Sequence, residues 1–373
     1  MYKRLKVFIL LMITPIIFCG CWDQILVEKI GFITVVGIDS APQGGLELTY
    51  ALPIIDPNIR DSRGEILDTQ SDLTRIAMEN LNKRSGKTML AGKVQIILYS
   101  NKIAEEGRIT DTNSVFERDP SNAILAWVIV VDGSPRTLIH KAEELKDKPR
   151  PSTYMNELLE RAVASALIDE IRVFKYDLIS MAPGIDNTAP LIKVTDNAIE
   201  VKGSALFSKG KMVGTISTDQ NALLIAMMKT LKQKKYTYEA NNASISISSE
   251  KQSSAIQLDQ KSKKINISIK DNKPIVNIYL DLTGHADEYK WDNLNNEKEV
   301  KKLDASVQKQ IEGDCQNLIE YMQRIESDPI CIGDMVRAKH NDYFKKVNWH
   351  TAYKNATITV HVKFHLIEYG AIK

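Results

Sequence analysis

From Val7 to Phe18 the chain is apolar except at Thr14 and Pro15, and Lys3, Arg4 and Lys6 precede this run. About a dozen residues are too few for a spanning helix, which needs about 20, and suit the apolar core of a secretory signal. Beyond it, 31–39 is rich in strand-forming residues, and 46–55 alternates well enough to pair with it through a turn at 41–45. Leu73, Ile76, Ala77 and Leu81 stand at helical spacing, so a helix is predicted over 68–85 with Gly86 as its stop. Strands are predicted at 94–99, 124–131 and 191–196, and helices at 136–147 and 154–170. A polar turn at 195–197 ends this first part.

Residues 199–216 predict two strands around the turn Ser208-Lys209-Gly210-Lys211, and Thr218 caps a helix running to about Leu231. A Ser/Asn/Lys-rich stretch follows, with alternation only at 245–248 and 265–269, so 236–263 is expected as a flexible or edge element. A strand is predicted at 275–282 and a short helix at 333–344. Val300, Leu303, Val307, Ile311, Cys315, Leu318, Met322 and Ile325 step by three or four, giving a helix of about 27 residues and about 40 Å with one apolar side. Such a stripe is expected to be core. The cleanest strand is 357–367: Ile358, Val360, Val362, Phe364 and Leu366 face one way and Thr359, His361, Lys363 and His365 the other. The expected fold is α+β and multi-domain, with unequal domains that each carry a small, mostly antiparallel sheet and packed helices. The expected division is a signal peptide at 1–20, an N-terminal α/β domain at 21–197, a middle domain at 198–263 and a C-terminal domain at 264–373.

The leader ends Phe18-Cys19-Gly20-Cys21. A small residue before a cysteine after such a run resembles the bacterial lipobox, in which the cysteine thiol receives diacylglycerol. Cys21 is the expected lipidation site because Gly20 precedes it, although Phe18 stands where Leu is usual and Cys19 is a second candidate. An uncleaved N-terminal anchor is the alternative; either way the remainder lies outside the cytoplasm. A diacylglycerol supplies two chains, enough for stable attachment where one chain is marginal. Cleavage leaves 353 of 373 residues and a net charge near −1, three below the +2 of the whole chain. That length predicts two or three domains. The near-neutral charge excludes a basic nucleic-acid-binding domain. The cluster at Lys229, Lys232, Lys234 and Lys235 suits a solvated face better than an anionic lipid surface. Cys315 and Cys331 are too few for a disulfide scaffold, and their pairing stays open.

Catalytic chemistry finds no anchor in the chain. His361 and His365 share a strand face about 13 Å apart, too far to ligate one ion. Gly86-Lys87-Thr88 resembles the tail of a phosphate-binding loop, but the first glycine of that pattern falls on Leu81 and the order is helix–loop–strand. Neither a Gly-x-Ser-x-Gly elbow nor a His-Glu-x-x-His pair occurs. No catalytic residue, metal or cofactor is therefore expected.

Several landmarks, in order, resemble the Ger(x)C family of spore germination lipoproteins. They are Cys21-Trp22-Asp23; Gly37-Ile38-Asp39; Gly92-Lys93 and Ser100-Asn101-Lys102, without the family's histidine; Arg118-Asp119-Pro120; the hairpin Phe207 to Gly214; and Asp328 with Gly333, Trp349 and Gly370. The run after Asp23 departs from the family pattern and marks a divergent member. The resemblance implies a non-catalytic C subunit of a nutrient germinant receptor, held on the outer face of the spore inner membrane and assembled with A and B subunits. Whether it touches the nutrient stays open. A solute-binding lipoprotein of a transporter is the alternative; it would need two similar α/β lobes and a cleft between them.

Overall fold

The computed structural model describes Tyr2 and residues 29–42, 44–54, 64–118, 124–145, 147–229, 231, 234, 236–241, 253–289 and 297–369. Cys21, Trp22, Asp23, Asp119, Pro120, Lys232, Lys235, the expected strand at 245–248 and Gly370 lie outside these residues.

The first unit runs β1 (Ile30–Phe32), β2 (Val35–Ser40), β3 (Leu46–Pro53), β4 (Gly64–Ser71), α1 (Thr74–Asn82), β5 (Thr88–Leu90), β6 (Ile96–Ser100), α2 (Asn101–Glu106) and α3 (Ile109–Arg118). It continues with β7 (Trp127–Val131), α4 (Pro135–Glu144), α5 (Pro151–Ala164), α6 (Val173–Met181), β8 (Thr188–Val194), β9 (Ile199–Ser208) and β10 (Lys211–Ser217). Eight strands form one mixed sheet in the order β10-β9-β8-β7-β6-β2-β3-β4. Its central four, β8-β7-β6-β2, are parallel. Helical crossovers between these strands cover both faces, so β6 and β7 are buried throughout and read as unbroken apolar runs. Alternate residues feed two cores. Ile97, Tyr99, Val128 and Val130 pack with Ala77, Ile103 and Tyr176. Ile96, Leu98, Trp127 and Ile129 pack with Leu138, Ile139, Met155 and Leu159 on the opposite face.

The second unit holds α7 (Thr218–Met228), β11 (Tyr236–Asn241), β12 (Ser253–Lys270), β13 (Lys273–Tyr289), α8 (Glu297–Arg324), α9 (Ile332–Lys339), α10 (Asn341–Phe344), α11 (Trp349–Lys354) and β14 (Thr357–Tyr369). Its sheet order is β11-β12-β13-β14. The long β12–β13 hairpin turns at Asp271 and Asn272, both with positive φ (50° and 59°), as a two-residue hairpin turn requires. The apolar stripe of α8 is buried from Val300 to Met322 in one core with Val276, Ile278, Ile358 and Val360. β14 is an edge strand, and α8 covers it with side chains rather than backbone. Asp304, Gln308, Glu312 and Gln316 accept from the amides of Leu366 (2.9 Å), Phe364 (3.3 Å), Val362 (3.0 Å) and Val360 (3.3 Å). Four helical residues rise about 6 Å and two strand residues about 6.6 Å, so the two repeats stay in step over this length. An edge that could template a foreign strand is thereby closed.

The α+β class holds, with departures in detail. The helix expected from 68 begins at Thr74, because Gly64–Ser71 pairs with β3 and the Asp68 carboxylate accepts from the Thr49 hydroxyl across that pair (2.7 Å). The strands of 199–216, expected to open a middle domain, instead complete the first sheet, since β9 pairs with β8. β12 runs across the expected division at 263/264. The helix expected at 333–344 breaks at His340, whose φ of −136° is not helical.

Candidate functional site

Asp328, Gly333 and Trp349, three landmarks of the closing segment, meet where the two units join. Asp328 follows α8 through a left-handed turn at Glu326 (φ 57°) and leads into α9 through a second at Cys331 (φ 68°). Its carboxylate is wholly buried. One oxygen accepts from the amide of Ile332 (3.1 Å); the other accepts from the amide of Gly333 (2.7 Å) and the indole of Trp349 (3.0 Å). Three donors satisfy a buried acceptor that would otherwise be costly. Burial pushes the Asp328 carboxyl up to about 7; the Gly333 and Ile332 amides pull it down and nearby Asp186 pushes it up again.

Asp186, between α6 and β8, completes the joint from the first unit. Its carboxylate accepts from the Asp328 amide (2.9 Å) and the Lys209 amide (3.2 Å), and His350 Nε2 lies 3.2 Å from it. The Asp186 amide donates to the Asp328 carbonyl (3.0 Å). The Ser327 hydroxyl donates to the Phe207 carbonyl (2.6 Å) and the Ser208 hydroxyl to the Glu326 carbonyl (2.7 Å). The hairpin Phe207 to Gly214 is thus bound directly to the segment carrying Asp328. At its far strand, the Tyr321 hydroxyl accepts from the Thr215 amide (3.2 Å) beside Gly214.

Sequence reasoning singled out Asp328, Gly333, Trp349 and the hairpin, and the structure brings them together. Gly37, Ile38 and Asp39 belong to the first sheet: Gly37 admits Pro135 and Ile139 of α4, Ile38 is core, and Asp39 accepts from the Ser40 amide. Ser100 caps α2 by accepting from the Ile103 amide (3.3 Å). Asp186, Gly184, Ser327 and His350 were missed. Gly184 in the turn 183–186 is a faint signal for the first two, but nothing local points across the chain to Asp328.

The joint's polar groups are spent on one another across the two units, so its chemistry is positional. Among the described residues no group of three His, Cys, Asp or Glu is placed to hold a metal ion. His361 Nε2 lies 3.0 Å from the Asn277 side-chain oxygen and its ring stacks on Tyr279, while His365 lies 3.7 Å from Asp304. Cys315 and Cys331 are free thiols, and burial pushes Cys331 up to about 12. No described helix is long and apolar enough to cross a membrane.

Comparison with known proteins accounts for nearly the whole chain. Residues 23–194 match the model of the spore germination protein N-terminal domain, and 202–370 match that of the spore germination B3/GerAC-like C-terminal region. Spore germination protein GerQC of Bacillus cereus is 23% identical over 95% of this chain and 96% of its own length. Spore germination protein B3 of Bacillus subtilis (strain 168) is 20% identical over 95% of each. The crystal structure of the GerBC protein superposes with a TM-score of 0.58 at 15% identity, covering 89% of this chain and 96% of that one. The chain is a member of the Ger(x)C family of spore germination proteins.

Proposed function

We propose that this chain is the lipid-anchored, non-catalytic C subunit of a spore nutrient germinant receptor. It attaches through Cys21 to the outer face of the spore inner membrane and assembles there with membrane-embedded A and B subunits. The likeness to germination proteins along 95% of the chain is the observation that carries this. The packed Asp186–Asp328 joint supports a coupling role: it fixes one unit against the other, so contact with one can favour a state of the whole. The same joint weighs against the solute-binding alternative, because it binds the units together by direct hydrogen bonds where a hinged cleft would need them to part. Those units are also dissimilar, one built on eight strands and the other on four.

The test is purification of the tagged protein from detergent-solubilised spore membranes. Two polytopic partners in stable ratio are expected; a transporter permease, or a bound solute with no partner, would overturn the assignment. In spores, Cys21→Ala is expected to leave the chain unlipidated and abolish the nutrient response, and an equally active soluble variant would sink the anchor.

A further inference from the structure

Helix α6 carries apolar residues on both its core side and its outer side. Val173 and Tyr176 enter the core, while Phe174, Leu178 and Met181, at helical spacing, remain 45%, 66% and 74% exposed. Ile124 and Leu125 lie against the start of the same helix and are 45% and 65% exposed. Their attachment is direct: the Phe174 amide donates to the Ile124 carbonyl (3.1 Å), and the Arg172 guanidinium donates to the Leu125 carbonyl (3.1 Å). Five large apolar side chains therefore form one patch, of the kind that marks an interaction surface.

The position of the patch says what covers it. The parallel strands β2, β6 and β7 all begin at one edge of the first sheet. Backbone bonds run along that edge from Thr34 to Gln95 (2.9 Å) and from Gln95 to Trp127 (2.8 Å), and Trp127 bridges to Arg172. Three strand spacings, about 15 Å, separate Thr34 from the start of α6. Thr34 is also where the chain arrives from its N-terminus, through β1. From Ile30 back to Cys21 are nine residues, a reach of at most about 30 Å. The point where the chain enters the first sheet and the apolar patch thus belong to the same edge of the molecule, within reach of Cys21.

We infer that the exposed face of α6, with Ile124 and Leu125, rests on the surface of the lipid bilayer that holds the anchor. This rests on Cys21 bearing the lipid. Leu178 and Met181 enter the boundary between headgroups and acyl chains, as the apolar side of an interfacial helix does. Lys175, one position from Phe174, is held by Asp169 (3.0 Å) and so leaves the apolar stripe clear. The contact orients the subunit as well as tethering it. The Asn187 side chain bonds the Tyr176 carbonyl (2.9 Å) and the Ser180 hydroxyl (2.7 Å), which ties α6 to the segment holding Asp186.

The experiment compares vesicle sedimentation of the mature chain carrying Cys21→Ala with that of the same chain also carrying Leu178→Asp and Met181→Asp. The vesicles are phosphatidylglycerol and phosphatidylethanolamine at 3:1. Both patch positions are exposed, so melting is expected to stay unchanged. The bound fraction is expected to fall at least fivefold, whereas Ile367→Asp, at an exposed apolar residue of the second unit, leaves it unaltered. Absence of binding by the Cys21→Ala chain, or equal binding with and without the two aspartates, would overturn the inference. So would retained vesicle binding with loss of co-purifying membrane proteins, which would make the patch a protein interface. Mass analysis of the native lipoprotein separately reports whether Cys21 carries diacylglycerol.

Discussion

Gly184 and Gly333 meet backbone to backbone at the joint between the two units, with space for a side chain on neither. A Cβ on Gly333 would meet the Trp349 indole, 2.5 Å from its Cε2, and lie 2.7 Å from the Gly184 Cα; one on Gly184 would lie 2.5 Å from the Gly333 carbonyl carbon. This closeness lets the Asp334 amide reach the Gly184 carbonyl (2.8 Å) and keeps the Trp349 indole on Asp328. Gly333→Ala is expected to cost about 3 kcal/mol, since the opposing atoms are backbone and a packed indole that cannot step aside. Gly86→Ala, where nothing lies within 4 Å, is expected to stay within about 0.5 kcal/mol of the parent. Denaturant titration of both variants checks the contrast, and equal midpoints would mean the joint yields.

The side-chain ladder from α8 to β14 makes a second prediction. Glu312→Met removes the acceptor from the Val362 amide and leaves that donor unsatisfied beside a packed core. The expected loss is about 1–3 kcal/mol. Glu312→Gln keeps an oxygen in the same place and should recover most of it. Thermal melting of the pair distinguishes the hydrogen bond from mere bulk: equal loss in both would assign the effect to charge.

What the chain discloses by itself depends on whether a signal is local. The alternation from Ile358 to Leu366 and the stripe from Val300 to Met322 are each written in one segment, and both elements form as read. Helix α6 escaped notice because its apolar residues fall on two sides, Val173 and Tyr176 towards the core and Phe174, Leu178 and Met181 outward, so no single apolar stripe with a polar opposite face stands out. The order of the parallel strands is equally silent, since β6 and β7, buried on both faces, read the same in any neighbourhood. Of the joint, Asp328, Gly333 and Trp349 could be found as spaced landmarks within one segment. Asp186 could not, because it bonds to a residue 142 positions later.

Ile311 lies at the middle of the α8 stripe with no exposed surface. Ile311→Asp places a carboxylate in the apolar cluster formed by Val307, Cys315 and the sheet of the second unit. A loss of about 4 kcal/mol is expected, a large share of the roughly 5–15 kcal/mol of an ordinary domain. Circular dichroism melting reads it, and an unchanged melting temperature would show that the stripe is not load-carrying core.

The Asp328 carboxyl gives the joint a pH dependence opposite in sign to that of an ordinary paired carboxylate. Burial, the leading cause, raises it from 3.8 to about 7, so between those values the folded chain holds a proton that the unfolded chain has released. Stability from this group is therefore fully present at and below about pH 4 and declines as pH rises through 7. From pH 5 to pH 7.5 the decline is roughly 2 kcal/mol. Asp328→Asn is neutral throughout and cannot show it. Its deficit against the parent should therefore be larger at pH 5 than at pH 7.5, with titrating groups remote from Asp328 cancelling in the difference. Paired denaturant curves at the two pH values measure this directly. A deficit that is the same at both pH values would mean that the three N–H donors outweigh burial and keep Asp328 ionised throughout.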